Sequence, residues 1–245
     1  MDLITEFKKL INECSYPVFF TGAGISTDSG IPDFRGPNGF WKKNTPIYFQ
    51  DFINSEDMRI KYWNQSLQFK RNFYSYEPNF GHKAIAKIIK QKNHGHCITQ
   101  NIDNLHQKGG LDIDQVTEIH GNATYALCLD CSKIFELKEI HENCLKTLAA
   151  PLCNKCNGLI KTATISFGQP MPENEMKRAH QEAESADLLI VAGSSLSVFP
   201  AAKIPLYAKE KGALLVILNN EKTDFDEIAD LVINENISDT LKRVI

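Results

Sequence analysis

Two cysteine pairs offer the most specific chemistry in the sequence. Cys128 and Cys131 form one Cys-x-x-Cys pair, Cys153 and Cys156 form another, and 21 residues separate the two pairs. Each pair directs two thiolates toward one point, so that together they can complete a tetrahedral Zn²⁺ site made only of sulfur. Such a site leaves no coordination position for water, and we therefore predict a structural zinc. Two unrelated pairs, or disulfides, are the alternative interpretations.

His120 is the candidate for acid–base chemistry. It lies in the sequence Glu118-Ile119-His120-Gly121, shortly before the first cysteine pair. An imidazole changes charge near neutral pH, so it can take a proton from a hydroxyl group and later return it. A single histidine is more often structural, and position alone leaves both interpretations open. We expect His82 to start a helix and His106 to pack or hydrogen-bond within one.

A glycine-rich turn offers a place for phosphate groups. Gly22-Ala23-Gly24-Ile25-Ser26 follows an apolar stretch, and glycines there would let a pyrophosphate approach the backbone N–H groups. Thr27 stands where the third glycine of the dinucleotide fingerprint would be. The turn alone fits a tight structural turn equally well.

The elements that must position these residues alternate between short apolar runs and helical periodicity. We predict buried strands at 16–20, 96–99, 187–191 and 213–218, and helices at 2–14, 82–92, 173–184 and 200–211. This alternation is typical of an α/β fold with a doubly wound parallel sheet. Each strand runs into small or polar residues, and ligands bind beyond the carboxyl ends of such strands. The polar clusters therefore predict one site built from several loops.

Two segments interrupt this alternation and predict a second, smaller domain. Residues 37–79 are aromatic and polar, and 124–158 carry the cysteine pairs. We assign both to the inserted domain and residues 1–36, 80–123 and 159–245 to the larger one.

Composition excludes several classes of protein. The 245 residues carry a formal net charge of −3, with 42% hydrophobic and 23% charged residues. There is no basic block to bind nucleic acid and no apolar run long enough for a membrane span, so we expect neither partner. Seven cysteines favour a reduced protein with one zinc site, in which Cys14, Cys97 and Cys144 are free. A cytoplasmic location is the default expectation.

Three longer blocks carry a family resemblance. Residues 22–36 read GAGISTDSGIPDFRG, 99–106 read TQNIDNLH and 193–200 read GSSLSVFP. Together with His120-Gly121 and the cysteine pairs, they resemble the sirtuin family of NAD⁺-dependent protein deacylases over roughly residues 16–240. The resemblance implies a Rossmann-like domain, a small domain made of a helical module and a four-cysteine zinc ribbon, and NAD⁺ bound between them.

The resemblance also implies residue roles. The glycine-rich turn would face the pyrophosphate, and Phe34 would cover the departing nicotinamide. The residues implied in catalysis are His120, Asn101 and Asp103. The residues implied in NAD⁺ binding are Gly22, Ala23, Gly24, Ser26, Asp33, Phe34, Arg35, Gln100, Asn101, Ile102, Asp103, His120, Gly193, Ser194, Ser195, Asn219, Asn220, Glu221 and Ile237.

For the substrate, the resemblance implies an extended acyl-lysine peptide between two loops. The implied contacts are Ile165, Phe167, Gly168, Ser197, Val198 and Phe199. The acyl oxygen would attack C1′ of the nicotinamide ribose, and water would finally release lysine and O-acyl-ADP-ribose. Family branches that remove acidic acyl groups carry a Tyr-x-x-Arg pair. Here Tyr62 is present, but Gln65 stands three residues later, where the arginine would be. We therefore predict acetyl or a longer apolar acyl group.

Two other functions remain open on the same scaffold. A protein mono-ADP-ribosyltransferase would use the same NAD⁺ site, and a non-catalytic NAD-sensing binding module would act through a partner. The presence of His120, Asn101 and Asp103 favours the deacylase.

Overall fold

A parallel sheet of six strands forms the centre of the chain. The structure is a computed structural model that describes residues 2–34, 39, 45–73 and 75–245, with only the backbone for 68–73. The strands are β1 (Pro17–Thr21), β2 (His96–Thr99), β3 (Val116–Glu118), β7 (Leu188–Ala192), β8 (Leu214–Leu218) and β9 (Leu231–Ile233). Their order is β3-β2-β1-β7-β8-β9, and every pair is parallel. The predicted α/β fold is therefore confirmed, and its direction of winding reverses between β1 and β7.

Helices cover both faces of this sheet because alternate strand residues point to opposite sides. Phe19 faces α1 (Leu3–Glu13), α4 (Phe80–Lys92) and α9 (Ile237–Val244). Phe20 faces α7 (Glu173–Ser185) and α8 (Lys203–Glu210). Both phenylalanines are fully buried. Because helices cover both faces of the sheet, successive residues of β1 and β7 are apolar on both sides.

A second sheet of three antiparallel strands carries the cysteines. Its strands are β4 (Gly121–Cys128), β5 (Ile134–Glu136) and β6 (Ile160–Thr164), in the order β5-β4-β6. Strand β6 lies inside the range that we predicted for the larger domain, yet it pairs with β4, with Gly121 opposite Thr164 and Cys128 opposite Ile160. Its Lys-Thr-Ala-Thr sequence lacks the apolar run of the parallel strands, so it gave no strand signal.

The remaining helices pack around these sheets. Helices α2 (Phe49–Asn54) and α3 (Glu56–Phe73) follow one another, and Trp63 of α3 is buried with Ala126 and Leu137 against the small sheet. Helix α6 (Leu137–Thr147) joins the same core, and α5 (Leu105–Lys108) follows β2. Short 3₁₀ helices span Ala23–Ser29, Ile113–Gln115 and Asp226–Ile228. Within the described residues, no helix has the length and apolar character needed to cross a membrane.

Candidate active site and metal centre

A cavity of about 680 Å³ opens at the carboxyl ends of the parallel strands. It lies where the direction of winding reverses, and strands β4 and β6 and helix α3 contribute to its walls. The predicted site residues that line it are Gly22, Ala23, Gly24, Asp33, Phe34, Gln100, Asn101, Ile102, His120, Ile165, Phe167, Gly168, Gly193, Ser194, Ser195, Val198, Phe199, Asn219, Asn220, Glu221 and Ile237. Residues from several separate stretches of sequence thus meet around one space.

Two glycine turns pack directly on each other beneath this cavity. The N–H of Gly22 donates to Ala192 O at 3.1 Å, and that of Gly24 donates to Gly193 O at 2.9 Å. A Cβ at Gly24 would lie 2.7 Å from Gly193 Cα, and Gly193 itself has a φ of +72°. Glycine is required at both positions because the backbones are in contact. The turns after β1 and β7 therefore form one rigid floor whose backbone a phosphate can approach.

Asn101 presents a carbonyl oxygen to the cavity. Both hydrogens of its amide are used elsewhere, since Nδ2 donates to Gly22 O at 3.1 Å and to Ser26 Oγ at 3.2 Å. These acceptors fix the orientation of the amide, so that Oδ1 is the atom the side chain can offer a ligand. Asn101 is thus set to accept a hydrogen bond from a ribose hydroxyl, an amide N–H or water.

Ser26 and Asp103 lie behind this wall and do not line the cavity, so far as the structure describes it. The hydroxyl of Ser26 donates to Asp103 Oδ2 at 2.7 Å. Because that donation uses its only hydrogen, His82 must be the donor in the 3.3 Å contact between its Nε2 and Ser26 Oγ. Burial lowers the pKa of His82 to about 4, which keeps the ring neutral. Through Ser26 Oγ, which accepts from Asn101 Nδ2, this network holds the Asn101 side chain in place.

His120 is held in the tautomer that a general base needs. Its Nδ1 lies 3.0 Å from the backbone oxygen of Gln100, and a carbonyl oxygen can only accept, so Nδ1 carries the hydrogen. The lone pair is therefore on Nε2, and the half-buried ring lines the cavity. The backbone of Gln100 is itself fixed, because its N–H donates to Thr21 O at 2.9 Å. The end of β2 thereby orients the imidazole.

Two predicted residues require separate mention. Ser197 is exposed and its Oγ lies 2.9 Å from Ser195 Oγ, but it is not among the described residues that line the cavity. Arg35 lies outside the described residues.

The sequence did not single out several residues that line the cavity. Thr27 and Asp28 follow the glycine turn, and Asn236 precedes α9 at the adjacent edge. Ser66 of α3, Leu137 of α6, and Thr162 and Thr164 of β6 form part of the wall on the side of the three-stranded sheet. The alternation of Thr162 and Thr164 was a signal available in the sequence, since residues two apart share one face of a strand.

The four paired cysteines converge on one point. All their sulfur atoms lie within 4.8 Å of one another, with 3.5 Å between Cys128 and Cys156 and 3.7 Å between Cys131 and Cys153. A tetrahedral site with Zn–S bonds of about 2.3 Å places sulfurs about 3.8 Å apart, whereas a disulfide requires about 2.05 Å. The arrangement fits one structural zinc ion and excludes disulfides between these cysteines.

Both cysteine turns have the same backbone geometry. The N–H of Ser132 donates to Cys128 O at 3.0 Å, and that of Asn157 donates to Cys153 O at 2.8 Å. Ser132 and Asn157 have φ values of 55° and 62°, which lie in the left-handed region. The two turns are thus equivalent, as expected for two matched halves of a zinc ribbon.

Comparison with known proteins identifies the family. The model of the Sir2 family matches residues 22–200. The "NAD-dependent protein deacetylase" of Rhodopseudomonas palustris is 48% identical over 238 residues, covering 97% of this chain and 94% of that protein. The "NAD-dependent protein deacetylase 1" of Bradyrhizobium diazoefficiens is 45% identical and covers 98% of this chain and 91% of that protein.

Solved structures agree in fold. The structure described as "Sir2-p53 peptide-NAD+" has a TM-score of 0.88 at 36% identity, covering 98% of this chain and 96% of that one. The one described as "Sir2 bound to acetylated peptide" has a TM-score of 0.85 at 34% identity, with the same coverage. As its glycine turn, its His120 block and its cysteine pairs predicted, this chain belongs to the Sir2 family.

Proposed function

We propose that this chain is an NAD⁺-dependent protein lysine deacetylase that uses His120 as its general base. NAD⁺ supplies the ADP-ribosyl group that receives the acyl group, and nicotinamide is its leaving group. The observation that carries the proposal is the tautomer of His120, whose Nδ1–H is held by Gln100 O so that Nε2 can accept a proton in the cavity. Asn101 Oδ1 faces the same space as a fixed acceptor.

Different parts of the cavity suit different parts of NAD⁺. The glycine floor with Ser194 and Ser195 suits the pyrophosphate, because small residues let it reach backbone N–H groups. Asn219, Asn220 and Glu221 follow β8 and suit the adenosine ribose hydroxyls. Phe34 and Ile102 line the opposite part, where apolar surface excludes water from the reacting atoms.

The peptide carrying the acyl-lysine binds between two loops at the cavity mouth. Gly168, with a φ of +77°, turns the first loop, and Gln169 N donates to Ser166 O at 3.0 Å. Phe167 of this loop and Phe199 of the second loop are 37% and 58% exposed while lining the cavity. Exposed aromatic rings on both sides suit an extended chain that pairs through its backbone.

Mass spectrometry of an acetyl-lysine peptide incubated with and without NAD⁺ tests the proposal. We expect NAD⁺-dependent loss of the acetyl group and formation of O-acetyl-ADP-ribose, and no reaction with the His120→Ala variant. His94→Ala is the matched control, because His94 is exposed and precedes the amino end of β2, away from the cavity.

Two outcomes would overturn the proposal. A protein that gains the mass of ADP-ribose without deacylating the peptide is a mono-ADP-ribosyltransferase. A protein that binds NAD⁺ in calorimetry but turns over neither NAD⁺ nor peptide is an NAD-sensing binding module.

A further inference from the structure

One wall of the cavity is made of three hydroxyl groups, and we call it the hydroxyl wall. It consists of Tyr62 from α3 and of Thr162 and Thr164 from β6, all of which line the cavity. Thr162 Oγ1 lies 3.0 Å from Thr164 Oγ1 and also contacts the hydroxyl of Tyr62. The three groups therefore form one continuous hydrogen-bonded row.

The hydroxyl wall begins beside the catalytic histidine. Thr164 pairs with Gly121, the residue after His120, and the next N–H along β6, that of Ile165, donates to His120 O at 2.9 Å. Thr162 lies two residues back on the same face of the strand, and its hydroxyl continues the row from Thr164 to Tyr62. The wall therefore leads from the reacting centre toward α3 on the small-domain side. An acyl chain extending from the reacting carbonyl into that side of the cavity meets it.

The hydrogen bonds within the row leave capacity for a ligand. The three hydroxyls contact one another, and Tyr62 also interacts with Thr164 and with the backbone of Thr162. Each hydroxyl oxygen carries two lone pairs, so lone pairs remain that can accept a hydrogen bond from a ligand. A purely hydrocarbon acyl group would leave this capacity unused, at a cost in free energy once water is excluded.

The residues around the wall disfavour a carboxylate there. Gln65, one turn from Tyr62 on α3, is neutral and lines the cavity. Lys161 lies close to the wall, but it is fully buried, its Nζ donates to the backbone oxygens of Thr162 and Thr164, and burial lowers its pKa to about 7. A neutral group that can donate a hydrogen bond to the wall fits this environment better than an anion.

We propose that the hydroxyl wall binds acyl groups that themselves carry a hydroxyl, so that short hydroxyacyl-lysines, such as 3-hydroxybutyryl-lysine, are preferred substrates. This inference rests on the proposed deacylase function, and the bonds made and broken are those of that reaction. It replaces the expectation of an apolar acyl group with a more polar one. Tyr62, Thr162 and Thr164 become the residues that determine acyl specificity.

Rates on matched peptides test the inference. The ratio of kcat/KM for the 3-hydroxybutyryl peptide to that for the butyryl peptide isolates the hydroxyl group, because the two acyl groups differ in nothing else. We expect this ratio to be about threefold to tenfold in the unmodified protein, which is the value of one neutral hydrogen bond. It should fall to about one in Thr162→Val.

A double variant and a matched control guard against effects of misfolding. Thr162→Val removes one hydrogen-bond partner of the Tyr62 hydroxyl. The double variant Y62F/T162V removes both polar groups together, so that neither is left buried without this partner. The matched control is Thr147→Val, at an exposed position at the end of α6, which should keep the ratio of the unmodified protein.

Contrary results have distinct meanings. A ratio of one or less in the unmodified protein, or a ratio that both Thr162 variants leave intact, overturns the inference and leaves the deacylase function standing. Faster turnover of a succinyl peptide than of either test peptide also overturns it, and would assign the wall to acidic acyl groups with Lys161 as counter-ion. Absence of turnover with every acyl peptide overturns the proposed function itself.

Discussion

At the scale of single residues, the site depends on which atoms are already engaged in hydrogen bonds. Asn101 can only accept because Gly22 O and Ser26 Oγ take both of its hydrogens. His120 can act as a base because Gln100 O takes its Nδ1 hydrogen. The sequence identified these residues through the family resemblance, but the orientation of each group depends on strand pairing. The pairing of β1 with β2 brings Gly22 O to Asn101, and the pairing of β2 with β3 brings Gln100 O to His120.

Replacement of Gly24 by alanine should destabilise the glycine floor. The added Cβ would lie 2.7 Å from Gly193 Cα and 2.9 Å from Gly193 O, so one of the two turns must move. We expect a loss of roughly 1–3 kcal/mol in the free energy of unfolding, measured with urea, and weaker NAD⁺ binding in calorimetry. Gly212→Ala is the comparison, since its Cβ would meet nothing within 4 Å and only its φ of +103° opposes the change. Normal NAD⁺ affinity in Gly24→Ala would contradict the contact.

At the scale of elements, strands β4 and β6 connect the zinc site to the cavity. Strand β4 runs from Gly121, next to His120, to Cys128, a length of about 24 Å. Strand β6 returns beside it from Ile160 to Thr164. Zinc therefore anchors one end of a two-stranded connection whose other end carries His120, the proposed general base, and the hydroxyl wall.

Loss of zinc should abolish activity although the metal is remote from the reaction. We expect one zinc ion per chain by elemental analysis, and loss of both zinc and deacylation in Cys128→Ala, because metal binding and folding of such modules are coupled. Cys144→Ala is the matched control: Cys144 is buried in the same core cluster as Cys128, but it is absent from the metal cluster. A zinc-free Cys128→Ala protein with full activity would refute this coupling.

The sequence predicted the parallel strands better than the small sheet, for a physical reason. The predicted strands at 16–20, 96–99, 187–191 and 213–218 lie within one residue of β1, β2, β7 and β8, because helices on both faces impose continuous apolar runs. Strand β6 has no such run, and its partner β4 lies far away in sequence. The sequence shows the alternation of Thr162 and Thr164, but the place of these residues beside Tyr62 and the cavity depends on the long-range register and needed the structure.

At the scale of the whole molecule, buried neutral histidines should make stability fall in mild acid. Burial lowers the pKa of His82 to about 4 and that of His106 well below its usual range. Below the unfolded-state pKa of about 6.5, the unfolded chain binds protons that the folded one refuses, so stability falls as the pH decreases toward 4. Each such histidine contributes a slope of about 1.4 kcal/mol per pH unit in that window.

Urea unfolding at a series of pH values between about 6.5 and about 4.5 checks this dependence. His82→Gln should reduce the slope by the share of one histidine, whereas His94→Gln, at an exposed position, serves as the control. An identical slope in His82→Gln and the unmodified protein would show that the ring of His82 is protonated in the folded state.

The register of β4 and β6 has a consequence for how the fold can vary in length. Because Gly121 and Thr164 are opposite each other, the chain enters and leaves the zinc ribbon at neighbouring points. Changes in length between Gly121 and Thr164 therefore need not move the strands of the parallel sheet. Cys128 and Ile160 are also opposite each other, so even a short hairpin turn could close the ribbon there. We therefore expect residues 132–152, between the two cysteine pairs, to tolerate an inserted module more readily than any segment between strands of the parallel sheet, provided that the four zinc ligands are kept.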